Sequence, residues 1–183
     1  CDLITGAEML GLPPDPAWLQ IEAELPQATL WGDPGREEIA LWQDTPLEES
    51  HRHHSHLAAL CPFNTISPED EAWRDILERS RDRWIGMGMG RWAGWSIPWA
   101  VMLHNRFGNA EMAEFLIELW SRCYRNKGGG TLHDPNFNGL SLGLCGSNKV
   151  MQMDAGMGIV AAIADLFLYE SGAILYALHG VPD

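Results

Sequence analysis

"SIPWAVMLHNRFGNAEMAEFLIELWSRC", residues 96–123, holds two helices and the short turn between them. The first opens with Ser96 as its cap and Pro98 in its first turn, where an absent N–H costs nothing and φ is already helical. It is predicted to run to Phe107, with Gly108 ending it and Asn109 capping the next helix. The core face of that second helix reads as Met112, Phe115, Leu116, Leu119, Trp120 and Cys123, three and four residues apart. Two helices joined by so tight a turn must pack side by side.

Working outward, the same signals recur. Asp15 caps a helix that starts at Pro16 and reaches about Glu24, and the opening "CDLITGAEML" reads as the middle of another. "SPEDEAWRDILERSRDRW", residues 67–84, predicts a helix capped by Ser67 with Pro68 as its first residue and acids in its first turn. Its apolar face is Trp73, Ile76, Leu77, Ser80 and Trp84. A short helix over His54–Leu60 is predicted to stop at Pro62. Between them, "LWGDPGREEIALWQD" (30–44) predicts a turn at Asp33-Pro34-Gly35 flanked by short extended pieces. Residues 127–150 read as a long Gly- and Asn-rich loop, and loops of that length in a compact domain are often functional. Asp154 then opens a helix of small apolar residues expected to be buried on most sides, and the end of the chain predicts one short strand. The fold class is therefore mainly α, with helix pairs joined by alternating short and long loops, as in a toroid or a bundle.

Composition narrows the function. The 183 residues carry 12 Lys+Arg against 25 Asp+Glu, a formal charge of −13, which argues against a binder of nucleic-acid phosphates. No basic cluster would draw the chain to an anionic membrane, and no stretch is apolar for the length of a membrane span. The four cysteines are widely spaced with no C-x-x-C pair, which speaks against a zinc knuckle or dithiol motif; Cys61 and Cys123 are expected to be buried thiols. The first residues lack the basic start and apolar run of a signal peptide, so the chain is expected to begin inside a larger protein, and its compartment stays open. Nine tryptophans fit either core anchors or the stacking platforms of a sugar cleft.

Three stretches could carry chemistry. "ESHRHHSHLAALCPF" (49–63) packs His51, His53, His54 and His56 around Arg52. A metal site, a patch of surface imidazoles and the wall of a polar cleft are all open here. No acid lies between the histidines as in H-E-x-x-H, and Arg52 favours the cleft, because a guanidinium fork with imidazole nitrogens suits the hydroxyls of a small polar ligand. "MQMDAGMG" (151–158) sets Asp154 at a loop-to-helix junction, where it reads equally as a helix cap. "GRWAGWSIPWA" (90–100) puts Trp95 at a helix mouth. No G-x-S-x-G accompanies Ser96, and its capping position explains it without a nucleophilic role.

Taken in chain order, these stretches resemble the catalytic domain of glycoside hydrolase family 95, the inverting α-L-fucosidases. Trp42-Gln43-Asp44 precedes "HRHHSHLAALCPFNTI", which is similar to the family's His-Arg-His-x-Ser-His-Leu run. "GWSIPWAVMLHNRFGNAEMA" resembles its Gly-Trp-Ser helix and the helix after it. "MQMDAGMGIVAAIADLFLYES" resembles its Gln-Ile-Asp-Gly-Asn-Phe-Gly segment, and "ILYALHGVP" its closing Leu-Pro stretch. The resemblance implies that residues 1–183 are the C-terminal portion of the catalytic domain and part of an (α/α)6 toroid. It implies that Asp154 is the general base, that Arg52 and His53 bind the sugar, and that His51 and Trp95 line the same cleft. It implies a fucosylated or related oligosaccharide as substrate, no cofactor and no metal. The remaining part of the domain would be an obligatory partner. Family members are often secreted or periplasmic. The family's general-acid Glu and two Asn that assist the base lie upstream of the matched region. Its Gly-Asn after the base is Ala155-Gly156 here, and the closing Leu-Pro segment is imperfect. A non-catalytic sugar-binding or interaction module of the same fold is the other reading.

Overall fold

A computed structural model describes residues 2–135, 150–171 and 174–182. The described chain is mainly helical: α1 (Asp2–Met9), α2 (Pro16–Glu24), α3 (Arg74–Gly86), α4 (Ser96–Arg106), α5 (Ala110–Cys123) and α6 (Met153–Phe167). Two small antiparallel pairs accompany them, β1 (Leu30–Trp31) with β2 (Glu38–Ile39), and β3 (Leu168–Ser171) with β4 (Ile174–Ala177). The residue pairs in register are Leu30 with Ile39 and Tyr169 with Tyr176.

α4 is the centre. Ile97, Ala100, Val101 and Leu103 have no exposed surface, because α5 covers one side of the helix and α6 another. Ser80 of α3 donates to Ile76 O and accepts the Ile39 N–H at 2.8 Å, which fixes the first hairpin against α3. Arg79 adds a 2.9 Å bond to Glu37 O. The second hairpin closes over the far end of α4. There Arg106 and Asp165 form a two-pronged ion pair at 2.7 and 2.8 Å, and the Arg106 guanidinium lies 3.6 Å from the centre of the Tyr169 ring. Tyr169 stacks on Tyr176 at 4.6 Å, and the Tyr176 hydroxyl donates to Glu69 at 2.6 Å.

Several expectations hold. Asp15 accepts the Ala17 N–H at the start of α2, Asn109 accepts the Met112 N–H at the start of α5, and Gly108 takes the left-handed φ of +67° that ends α4. Cys61 and Cys123 are buried free thiols.

Others are corrected. α3 starts at Arg74, not Pro68: Ser67 Oγ accepts the Glu69 N–H and Asp70 Oδ1 the Ala72 N–H, so two local turns take the donors that a helix would have used. Ser96 is the first residue of α4 and not its cap, because its hydroxyl is spent elsewhere. His54–Leu60 forms only a 3-10 turn at Ser55–Leu57 before the chain bends at the cis Cys61–Pro62 peptide. On α5 it is Ala113 that is buried, whereas Met112 and Phe115 face outward. The chain ends in two strands instead of one. α6 is buried through Ala155, Gly158, Ile159, Ala162 and Leu166 but shows Met153, Met157, Val160 and Phe167 to solvent. Most of the loop expected over 127–150 lies outside the described residues.

Candidate active site

The three chemical stretches meet where α4 and α6 begin. Ser96 Oγ accepts the Ala93 N–H at 2.8 Å and donates to Arg52 O at 2.6 Å, which ties the histidine run to the mouth of α4. Gln152 does the same for the loop ahead of α6, since its side-chain oxygen accepts the Trp95 N–H at 2.9 Å. A third strand of backbone runs between them. His133 N donates to Val150 O, Gln152 N to Thr131 O, and Gly94 N to His133 O. Gly94 has to be glycine here, because a Cβ would stand 2.0 Å from Leu132 O. The Trp95 indole lies so close over α6 that a Cβ on Gly158 would come within 2.1 Å of the ring.

The histidine run splits into two roles. His54 is buried among Trp84, Trp92 and Trp99, with ring centroids 4.8–5.6 Å away. Trp84 Nε1–H donates to His54 Nδ1 at 3.1 Å, so the ring proton is on Nε2, which donates to Ser96 O at 3.0 Å. Burial drives its pKa down to about 3, and the ring is neutral. His56 is also buried, and burial with the nearby His51 charge takes it to about 4; neither of its ring nitrogens has a partner. Four imidazoles therefore do not converge on one ion. Among the described residues, no group of three or more His, Cys, Asp or Glu side chains is placed to hold a metal.

His51, Arg52 and His53 are the exposed members. His51 Nδ1 accepts the His53 N–H at 3.1 Å, and the two rings meet edge to face at 5.4 Å. Partial burial lowers the His53 pKa, and the Arg52, His51 and His133 charges lower it further, while the Asp154 carboxylate opposes them. His53 and Asp154, a hundred residues apart in sequence, thus act on each other across one cleft. Asp154 sits exposed in the first turn of α6. Gln152 is the N-cap residue and makes no capping bond with its side chain, so Asp154 is not the cap that the sequence suggested. Asp154 Oδ1 takes the Ala155 N–H at 3.1 Å, and Gln152 Nε2 reaches Oδ2 at 3.5 Å.

The sequence model of the Glycosyl hydrolase family 95 catalytic domain matches residues 31–167, most of the chain and all of this cleft. The chain belongs to glycosyl hydrolase family 95. It is also 26% identical over 189 residues to alpha-L-fucosidase 2 of Arabidopsis thaliana, an alignment that covers 99% of this chain but 21% of that protein. The chain thus spans about a fifth of the length of the relative it matches.

Within this family-95 domain, the expected site residues Asp154, Arg52, His53, His51 and Trp95 lie on the stretches gathered at the mouths of α4 and α6. Trp95 is half-buried, 6.0 Å from Trp99. The sequence reading missed His133 and Asp134, which the backbone pairing of 131–133 with 150–152 brings to the same place. It also missed the clamp formed by Gln152, although a glutamine two residues before the carboxylate was a visible signal. Among the described residues no helix is long and apolar enough to cross a membrane.

Proposed function

We propose that this chain supplies the water-activating side of an inverting glycosidase cleft that acts on α-L-fucosides or a related L-sugar. Asp154 is the general base, Arg52 and His53 bind sugar hydroxyls, and His51 and Trp95 flank them. The observation that carries this reading is the coupling of His53 to Asp154 across a cleft built from the family's matched stretches. Inversion needs a base on one face of the sugar and an acid on the other, their carboxyl groups roughly 6.5–9.5 Å apart. By the family match, the acid comes from outside this chain. The outward apolar side of α6 supports the same conclusion, since a helix of an (α/α)6 toroid would bury it against the rest of the domain.

The isolated chain is therefore expected to bind L-fucose without turnover. Joined to the rest of the domain it should hydrolyse α-L-fucosides, and Asp154→Asn should lower kcat by about 10²–10⁴-fold. Turnover by the chain alone would show that no acid is missing. An unchanged kcat in Asp154→Asn rules out the base. Binding that never becomes turnover in the joined protein points to a sugar-binding module.

A further inference from the structure

We infer that His133, held by the buried carboxylate of Asp134, is a specificity-determining residue of the cleft that hydrogen-bonds a hydroxyl of the bound sugar. The inference rests on the sugar-cleft reading above and adds a ligand that neither the histidine run nor the α6 junction contains.

Three observations carry it. The first is place. Leu132 bridges Met151, His133 N donates to Val150 O at 2.9 Å, and Gly94 N donates to His133 O at 2.8 Å. The backbone of His133 is thus fixed between the Trp95 turn and the approach to Asp154, and a side chain there cannot wander from the cleft. The second is orientation. His133 Nδ1 lies 2.6 Å from Asp134 Oδ1, and the Asp134 side chain is only 3% exposed. An ionised carboxylate can only accept, so Nδ1 carries the proton and Nε2 is the acceptor edge of the neutral ring. A carboxylate behind an imidazole also strengthens that acceptor, as it does for imidazoles that bind metals. The third is company. His133 acts electrostatically on His53 together with Arg52 and Asp154, so it belongs to the same polar wall. Its side chain is 15% exposed, enough to be reached and little enough to be rigid.

A sugar hydroxyl is an O–H donor that needs an acceptor with a fixed direction. Arg52 can only donate, so the wall needs acceptors as well as donors. His133 Nε2 supplies one. An analogue lacking the hydroxyl would leave a half-buried imidazole unpaired, which is how such contacts discriminate between sugars.

The experiment is an L-fucose titration of the 183-residue chain carrying 15N-labelled histidine, with tryptophan fluorescence as a second readout of binding. On saturation, the His133 Nε2 resonance is expected to move towards the hydrogen-bonded position with no change of tautomer, a response that a merely structural histidine would not give. His133→Phe keeps the ring shape and should weaken binding about tenfold or more, and Asp134→Asn should weaken it less. His53→Ala is the control for the cleft itself. If wild type binds and His53→Ala weakens binding while the His133 resonance stays still, the inference is overturned and the cleft reading stands. If wild type does not bind L-fucose, both fall. The wild-type spectrum decides the matter even where a variant fails to fold.

Discussion

His54 has a donor on one ring nitrogen and an acceptor on the other, and both bonds require a neutral ring. His56 and His104 are buried as well, and burial is the main cause that takes each of them to about 4, against about 3 for His54. In the unfolded chain the same rings titrate near 6.5. Their folded pKa values are depressed, so the unfolded state binds more protons below pH 6.5. Their contribution to stability is complete above that pH and is lost as the pH falls towards 4. Each imidazole should shift the unfolding equilibrium by about tenfold per pH unit in that window. Urea midpoints measured at pH 7.5, 6 and 5 should therefore drop steadily, and His56→Phe should flatten the slope. A midpoint flat between pH 7.5 and 5 would mean that the three rings are wet. At the same scale, Gly158→Ala should cost about 1–3 kcal/mol, because the new methyl overlaps the Trp95 ring and the indole is backed by Trp99. Urea unfolding together with the tryptophan emission maximum would register both the loss and the displaced ring.

At the scale of elements, three polar residues stand in similar sequence contexts, and only one behaves as read. Asn109 caps α5 because nothing else competes for its side chain. Ser67 is absorbed by local turns, and Ser96 bonds Arg52 O, 44 residues away, a partner that no local pattern reveals. The helix pair α4–α5, α2 and the first hairpin were legible for the same reason that Asn109 was, since their signals are local. Asp154, Arg52 and His53 were legible because the motifs around them are distinctive. The His133–Asp134 pair was not: two adjacent polar residues in a loop mean nothing until 131–133 pairs with 150–152. The second hairpin was also underread, because its anchor is a long-range ion pair and not a turn signal. That anchor can be tested. Asp165→Ala leaves the Arg106 guanidinium buried and uncompensated, which typically costs 3–5 kcal/mol. The loss should appear in urea unfolding, with faster amide exchange in β3 and β4 before the rest of the fold.

At the scale of the whole molecule, polarity and exposure disagree. A formal charge of −13 should keep the chain dispersed, yet Met153, Met157, Val160 and Phe167 form an outward stripe on α6, each more than half exposed. The exposed Leu3, Met9, Leu19 and Ile21 add apolar surface on α1 and α2. α6 grips α4 through small residues on its other side, so the stripe contributes nothing to the fold of the described chain. Met157→Glu combined with Val160→Lys should then leave helix content and the urea midpoint unchanged, since the two positions are 69% and 67% exposed and the new side chains sit three apart with opposite charge. Sedimentation velocity should show less self-association than in wild type. In the joined protein the same pair should abolish fucoside hydrolysis, because two charges would have to be buried beside Asp154 for the cleft to close. If the double variant unfolds on its own, the stripe is core within this chain. If the joined protein keeps full turnover, the rest of the domain packs elsewhere and α6 faces solvent in the working enzyme.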